Sequence, residues 1–358
     1  MKLYLKGLNG IRTIAACGVL ISHINIWRSF FNVPNAHESL LAPYGVTMFF
    51  ALSGFLITFL LLKEKEISQD KIAIKKFYLR RILRIWPLYF LYLLLALLTI
   101  YIYQPSQLHT YNIVFYFILM ANIPYALNMP LPFLGHYWSL AVEEQFYLFW
   151  PWLVKIKSEL KTLIIFLLFY TLLRFIVHFI IKDLTLIYFF DILRFDCMAI
   201  GGIGAVLFNQ KNRILKYFYH PASEIISWGI LILVTINRFH IISVIDQDIF
   251  SVVTIVLIIN QCSNPKVLIN LDKRILNFLG KISFGIYVYH PLIIFLFSKL
   301  LNHFFVQESI TKYIFIYSGV ITITIGVAYL SYEYFEKYFL NLRNKFAVIP
   351  STNSKGNL

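Results

Sequence analysis

Long apolar runs recur along this chain, and short polar stretches rich in lysine and arginine separate them. The runs are roughly 17–22 residues long, which is the length that a helix needs to cross the hydrocarbon core of a bilayer. A transmembrane barrel would show short segments of alternating polar and apolar residues instead. The pattern therefore predicts an all-α integral membrane protein with about ten transmembrane helices. The predicted spans are residues 11–31, 44–62, 85–103, 137–154, 162–181, 196–208, 222–237, 248–263, 283–300 and 313–334.

Residues 112–134 are also apolar, but three prolines, Pro124, Pro130 and Pro132, interrupt them. Proline breaks a helix because it lacks the amide hydrogen and its ring collides with the preceding turn. We therefore expect residues 104–136 to form an outer loop that partly re-enters the membrane. Irregular backbone at that depth must be buried in protein or line a cavity.

The distribution of basic residues predicts the orientation of the spans. If residues 104–136 do not cross, 24 of the 32 lysines and arginines lie on the side of the N-terminus and six on the other, while Arg12 and Arg174 lie inside spans. Cytoplasmic loops of membrane proteins carry such an excess of basic residues. We therefore expect both termini in the cytoplasm, a transmembrane domain over residues 1–340 and a short polar cytoplasmic tail over residues 341–358.

The composition agrees with this class of protein. Hydrophobic residues make up 59% of the chain and charged residues 14%, and the mean hydropathy is +0.72, whereas soluble domains average about 25% charged residues. The net charge of +15 could point to nucleic acid, but the basic residues lie between apolar runs, as topology signals do. We expect membrane lipids, and no nucleic acid, as partners. The three cysteines all lie in apolar segments and indicate no disulfide framework.

The first predicted span, GIRTIAACGVLISHINIW, contains Arg12 and His23. These residues are eleven positions apart, so they point along one face of a helix and lie roughly 16 Å apart along its axis. A membrane span that keeps both a cation and an imidazole on one face is a candidate functional surface.

The most basic predicted loop leads into the third span through KKFYLRRILRIWPLYF. Arg81 and Arg84 share a face if the helix already starts there, and such a pair can bind phosphates or a diphosphate. The alternative is an ordinary topology signal, in which the two arginines only reach for the membrane surface.

The fourth span begins with HYWSLAVEEQFYLFWPW and places Glu143 and Glu144 well inside the membrane. Burying a carboxylate in hydrocarbon costs several kcal/mol, so acidic residues at such positions mark functional sites with partners. A structural salt bridge inside the bundle is the alternative for this pair.

Asp196 and His290 are further candidates with more than one interpretation. Asp196 stands at the start of a span, where it could cap the helix. His290 lies in the middle of a span and could be a hydrogen-bonded core histidine or a ligand. His23, His136 and His290 are isolated in sequence, with no pair at metal-ligand spacing, so no metal site is predicted.

Several of these segments together resemble the membrane acyltransferase-3 family, whose members are bacterial inner-membrane O-acyltransferases that acetylate surface glycans. The resemblance runs in order from residue 8 to about residue 335. The family usually has aspartate where Asn9 stands and commonly where Thr47 stands. The segments are LNGIRTIAACGVLISHI, GVTMFFALSGFLIT, FYLRRILRIWPLYF, WSLAVEEQFYLFWP and LGKISFGIYVYHP.

The resemblance implies roles for particular residues. The family's essential arginine and histidine of the first span correspond to Arg12 and His23. Its Arg-x-x-Arg pair, linked to acyl-CoA use at the cytoplasmic side, corresponds to Arg81 and Arg84. Its Trp-Ser-Leu-x-x-Glu motif corresponds to Trp138, Ser139, Leu140 and Glu143.

The resemblance also implies a reaction. We expect an acetyl group to move from cytoplasmic acetyl-CoA, with no tightly bound cofactor, to a hydroxyl of an extracytoplasmic glycan such as O-antigen lipopolysaccharide or another surface polysaccharide. His23 would remove the hydroxyl proton, because an imidazole takes up and releases a proton near neutral pH. Glu143 would orient His23 if the helices bring the two together. A covalent acetyl-histidine is the mechanistic alternative.

Two other classes remain open at this point. A transporter or flippase of an anionic lipid-linked solute would also place cations and acids inside a helical bundle. A structural membrane subunit would explain the hydrophobicity, but not the ionisable residues within the spans. Incorporation of labelled acetyl from acetyl-CoA distinguishes the acyltransferase from both.

Overall fold

The structure is a computed structural model, and it describes residues 4–36, 39–305 and 307–348. Within these ranges all regular secondary structure is helical, as predicted. The last ten residues of the predicted tail lie outside the described residues. The helices are α1 (Leu8–Ile26), α2 (Leu41–Ile67), α3 (Ile74–Tyr103), α4 (Thr110–Phe117), α5 (Asn122–Ala126), α6 (Tyr137–Lys155), α7 (Glu159–Phe175), α8 (Leu184–Leu193), α9 (Phe195–Asn209), α10 (Leu215–Phe218), α11 (Pro221–Thr235), α12 (Asp246–Ser263), α13 (Arg274–Lys281), α14 (Ser283–Phe304), α15 (Ile310–Ser331) and α16 (Lys337–Asn344).

Every predicted span coincides with a helix, and the regular structure of the described residues is all helical, as expected of a helical membrane protein. Among the described residues, five helical segments are long and apolar enough to cross a bilayer by length and composition alone. The other predicted spans coincide with α1, α6, α9, α11 and α12, which are shorter or less apolar. The count of ten crossings stays a prediction. The five segments are Leu41–Ile67, Ile74–Tyr103, Glu159–Ile181, Ser283–Phe304 and Ile310–Asn344.

The segment between α3 and α6 contains two short helices, α4 and α5, and no continuous helix. The flanking helices are antiparallel neighbours. Near the start of α3, the Tyr78 hydroxyl donates to the Leu148 carbonyl oxygen at 2.6 Å, and further along α3 the Tyr89 carbonyl accepts from the Tyr137 hydroxyl at 2.8 Å. Residues 104–136 therefore begin and end at the same end of this helix pair, which is the arrangement expected of an outer loop. Re-entry of the loop into the membrane stays a prediction.

Close packing of α2 against α9 fixes the centre of the bundle. Gly54 lies against the carbonyl of Met198, and Gly201 lies against the carbonyl of Ala51, so that a Cβ at either glycine would overlap backbone. Small residues allow membrane helices to approach in this way. The contact positions α2, one of the walls of the site described below.

The predicted orientation can be tested with single cysteines in exposed loops of a variant that lacks the three native cysteines. A membrane-impermeant thiol reagent added to spheroplasts should label Ser106→Cys and should leave Gln69→Cys and Lys211→Cys unlabelled. All three should react once the membrane is permeabilised, which is the control. Outside labelling of Lys211→Cys would mean that residues 112–134 cross the membrane and that the later spans are inverted.

Candidate active site

A cavity lies between α1, α2, α3, α6 and α14 and contains about 770 Å³ of space not occupied by atoms, part of it open to the outside. Apolar side chains of α2 form much of its wall, including Phe49, Phe50 and Leu52. The polar and charged lining residues are Arg12, Ser53, Arg81, Arg84, Ser139, Glu143, Tyr147, Ser283 and Tyr287.

The basic residues enter the cavity from the early turns of two helices. Arg12 is on the second turn of α1, and Arg81 and Arg84 are on the third turn of α3. Because α3 begins at Ile74, the two α3 arginines are both helical and share a face, as their spacing predicted. The end of the cavity that holds these arginines is the end predicted to face the cytoplasm.

The cavity arginines lack acidic partners. Arg12 donates through Nη1 to the neutral Asn9 side chain at 3.0 Å. No described carboxylate lies within 4.0 Å of the guanidinium nitrogens of Arg12, Arg81 or Arg84. The arginine directly before Arg81, Arg80, does have an acidic partner, because it pairs with Glu64 at 2.9 Å.

Arg81 is held by aromatic rings rather than by charge. Its guanidinium carbon lies 5.7 Å from the ring centre of Phe77 and 5.6 Å from that of Tyr147. Its Nε is buried and has no hydrogen-bond partner among the described residues. A guanidinium presented in this way has free donors for an anion that enters the cavity.

The two carboxylates of α6 face different surroundings. Glu143 lines the cavity and accepts hydrogen bonds from the hydroxyls of Ser53 and Tyr147. Glu144 accepts from the Trp86 indole at 3.0 Å, and its other oxygen is buried without a described partner. Within the described residues neither carboxylate forms a salt bridge, so the structural ion pair considered above is wrong for this pair.

Three histidines that are far apart in sequence come together on the α6–α14 side of α1. Nδ1 of His23 lies 2.6 Å from Nε2 of His290, and the two rings are stacked with centres 4.8 Å apart. The His136 ring centre is 5.4 Å from that of His290. These residues, which are isolated in sequence, are therefore close together in space. The expected pairing of His23 with Glu143 is wrong, because His23 bonds to His290, whereas Glu143 bonds to Ser53 of α2 and to Tyr147 of its own helix.

Ser139 and Tyr287 lie between the cavity and these histidines. Both line the cavity, and their hydroxyl oxygens are 2.5 Å apart. The Tyr287 hydroxyl also donates to the backbone carbonyl of His136 at 3.0 Å, and its ring centre lies 6.0 Å from that of His290. The arginines and the histidines thus occupy opposite ends of one polar region.

A family model described as an acyltransferase domain matches residues 5–333 of this chain. The chain belongs to this acyltransferase family. The resemblance seen in its motifs is thereby confirmed, since the matched region includes every arginine, histidine and carboxylate named in the site.

Similar proteins carry names that agree with the family. The O-acetyltransferase OatA of Staphylococcus aureus strain MRSA252 is 30% identical over 383 residues, which cover 98% of this chain and 60% of OatA. A putative O-acetyltransferase of S. aureus strain COL is 28% identical and covers 94% of this chain and 57% of that protein. This acyltransferase spans about three fifths of the length of these relatives. No solved structure matches it.

Asp196 lies outside the cavity of this acyltransferase and does not cap α9. The capping position is Arg194, and Asp196 is the second residue of the helix, fully buried and bonded to Arg174. Arg174 also lies 3.3 Å from Asp191 and 3.6 Å from Asp248. Asp196 is therefore part of a structural ion-pair network between α7, α9 and α12.

Asp196, Cys197 and Asp248 are also close enough to one another to hold a metal ion. The guanidinium of Arg174 already lies against both carboxylates. A cation is therefore present where a metal would bind, and we assign no metal to this cluster.

The two positions at which this acyltransferase departs from the family pattern hold neutral residues that accept hydrogen bonds from arginines. Asn9 accepts from Arg12, so the charge of that arginine is not neutralised locally. Thr47 accepts from Arg194 at 2.9 Å and bonds to the Gln247 side chain. Arg194 in turn lies 5.6 Å from the ring centre of Trp138, which places that motif residue on the far side of the site from the cavity arginines.

Four polar residues that line the cavity are not singled out by the sequence, namely Ser53, Tyr147, Ser283 and Tyr287. Tyr287 could have been found, because it precedes His290 by three positions and shares its helix face. His136 was noticed but not connected to the other histidines. Ser53 and Tyr147 are found only through their hydrogen bonds to Glu143.

Proposed function

We propose that this acyltransferase is an O-acetyltransferase of the bacterial inner membrane, with both termini in the cytoplasm. It takes an acetyl group from cytoplasmic acetyl-CoA and transfers it to a hydroxyl of an extracytoplasmic glycan, such as O-antigen lipopolysaccharide or another surface polysaccharide. The observation that carries the proposal is a cavity lined by arginines that have no described carboxylate within 4.0 Å, with a cluster of histidines behind its Ser139 and Tyr287 wall. The names of the relatives support acetyl as the group that is transferred.

The donor fits the chemistry of the arginine end. Coenzyme A carries a diphosphate and a further phosphate, and arginine binds phosphates through two parallel hydrogen bonds. Arg81 and Arg84 can bind these groups, because no described carboxylate lies within 4.0 Å of their guanidinium nitrogens. The pantetheine arm of the donor is about as long as the roughly 16 Å that separates Arg12 from His23 along α1. A donor bound by its phosphates at the inner surface can therefore extend its thioester towards the histidines.

His23 is the base in the proposed reaction. Its ring takes the proton of the glycan hydroxyl, whose oxygen attacks the acetyl carbonyl carbon. A carbon–oxygen bond forms, the carbon–sulfur bond of the thioester breaks, and the proton passes from His23 to the departing sulfur, which leaves as the thiol of coenzyme A. Transfer through an acetyl-histidine is the alternative route and uses the same residue as nucleophile.

Glu143 has a different role in this proposal from the one predicted from sequence. It bonds to Ser53 and Tyr147 within the cavity, and Tyr147 in turn packs on the Arg81 guanidinium. A carboxylate at this point keeps the wall beside Arg81 in place and partly balances the positive charge of the arginines. Lys75 and Lys76, which are exposed on α3, make no such contacts with the described residues.

Replacing both Arg81 and Arg84 by glutamine should raise the KM for acetyl-CoA by about 100-fold or more. Each lost charge-assisted contact is worth about 1.5–3 kcal/mol, and about 1.4 kcal/mol corresponds to a factor of ten. The control is Lys75→Gln with Lys76→Gln, which removes the same charge from exposed positions of α3. An unchanged KM in the arginine variant at normal abundance would mean that the two arginines are topology signals only.

His23→Gln should abolish glycan acetylation at wild-type abundance of the protein. Glutamine keeps a hydrogen-bonding group but cannot act as a base, and base catalysis of this kind supplies about 10²–10⁴-fold. The measurement is the O-acetyl content of extracted surface glycans by NMR. The cells are grown with labelled acetate and either lack this acyltransferase, carry the wild type or carry the variant. The control is His178→Gln, at a half-buried histidine of another predicted span.

The proposal fails if the wild type adds no acetyl to any surface glycan. That result would favour the transporter. An active His23→Gln protein would contradict the role of His23 and leave the acyltransferase in place.

A further inference from the structure

His290 has both ring nitrogens occupied by protein groups. It lies on α14, is fully buried, and its Nδ1 is 3.2 Å from the carbonyl oxygen of Ile286 on the preceding turn. Its Nε2 is 2.6 Å from Nδ1 of His23. These two contacts form a chain from the α14 backbone to the His23 ring.

The chain determines which nitrogen of each ring carries hydrogen. A carbonyl oxygen can only accept, so Nδ1 of His290 is the donor to Ile286. A neutral imidazole carries one N–H, so Nε2 of His290 is an acceptor, and Nδ1 of His23 must donate to it. In the neutral pair, the remaining nitrogen of His23, Nε2, then holds an unshared electron pair.

The neighbouring rings restrict how His23 can turn. Its ring centre is 4.8 Å from that of Trp27 and 4.8 Å from that of His290, with interplanar angles of 32° and 23°. The ring therefore lies against both an indole and an imidazole, and rotation about its axis would break the bond to His290. His136 is held separately, because its Nε2 donates to the Val288 carbonyl at 3.2 Å.

We propose that His290 is a positioning residue that holds His23 in the tautomer whose Nε2 is free to accept a proton. The inference rests on the proposed function and deepens it, since it names the nitrogen that acts and the residue that selects it. The Ile286 carbonyl belongs to the α14 backbone and fixes the hydrogen on Nδ1 of His290. The role resembles that of a carboxylate that orients a catalytic histidine, with a second imidazole as the acceptor.

Protons balance over the reaction in this arrangement. Nε2 of His23 receives the hydroxyl proton while the carbon–oxygen bond forms, and the same proton goes to the sulfur when the carbon–sulfur bond breaks. Nδ1 of His23 keeps its hydrogen throughout. While His23 is positively charged, its bond to Nε2 of His290 becomes charge-assisted and therefore stronger. His290 ends the cycle in the tautomer in which it began.

The test compares three variants in proteoliposomes with labelled acetyl-CoA and a surface-glycan extract from which acetyl groups have been removed with mild base. His290→Phe keeps an aromatic ring but removes the acceptor, and it should lower kcat by about 10²–10⁴-fold with an unchanged KM for acetyl-CoA. His290→Gln offers an amide oxygen to Nδ1 of His23 and should restore kcat at least tenfold over the phenylalanine variant. Ser298→Ala removes another buried α14 side chain that bonds only to its own helix, and should behave as the wild type.

Three results would overturn the inference: a wild-type kcat in His290→Phe, equal losses in the phenylalanine and glutamine variants at normal abundance, or a loss of folded protein in both. The last result would assign His290 a structural role. Each of them is distinct from failure of the proposed function, which would appear as an absence of acetyl transfer by the wild type.

Discussion

A helical bundle in a membrane must satisfy its polar groups internally, because hydrocarbon offers no hydrogen bonds. This constraint separates the polar residues of the protein into two kinds. Glu143, His23 and His290 have partners within the bundle. Arg81 and Arg84 line an open cavity and have no described carboxylate within 4.0 Å. Groups with partners hold the structure in one arrangement, and groups without them are available to an anionic ligand.

The positions of the site residues depend on contacts that fix each helix relative to its neighbours. Close contact of α2 with α9 through Gly54 and Gly201 sets the position of Ser53, and through it that of Glu143. The antiparallel pairing of α3 with α6 then brings Tyr147 against Arg81. The donor end and the histidine end of the site share α1, which carries both Arg12 and His23, so the distance between them is set by a helix and not by a loop.

The sequence was sufficient to predict the helical class, a helix at each of the ten proposed spans and five of the nine polar and charged residues that line the cavity. The length of the apolar segments predicts the helices, and the basic residues between them predict which ends face the cytoplasm. It was not sufficient to predict which residues meet across helices. Spacing assigns a residue to a face of its own helix, but contact of His23 with His290 depends on the relative height of α1 and α14, which packing alone decides. The same limit explains why Asp196 was assigned to a helix cap rather than to Arg174.

The central claim is that one cavity carries an acetyl group from a donor on the cytoplasmic side to a glycan on the other side. Sealed proteoliposomes test it directly, with labelled acetyl-CoA added only outside and the glycan extract, freed of acetyl groups, enclosed within. Molecules whose Arg81 end faces outwards should acetylate the enclosed glycan. Enclosing the donor and the glycan together should give no transfer by molecules of either orientation, because each needs the two on opposite sides of the membrane. Transfer that occurs only when the donor and the glycan share the same side would contradict the account.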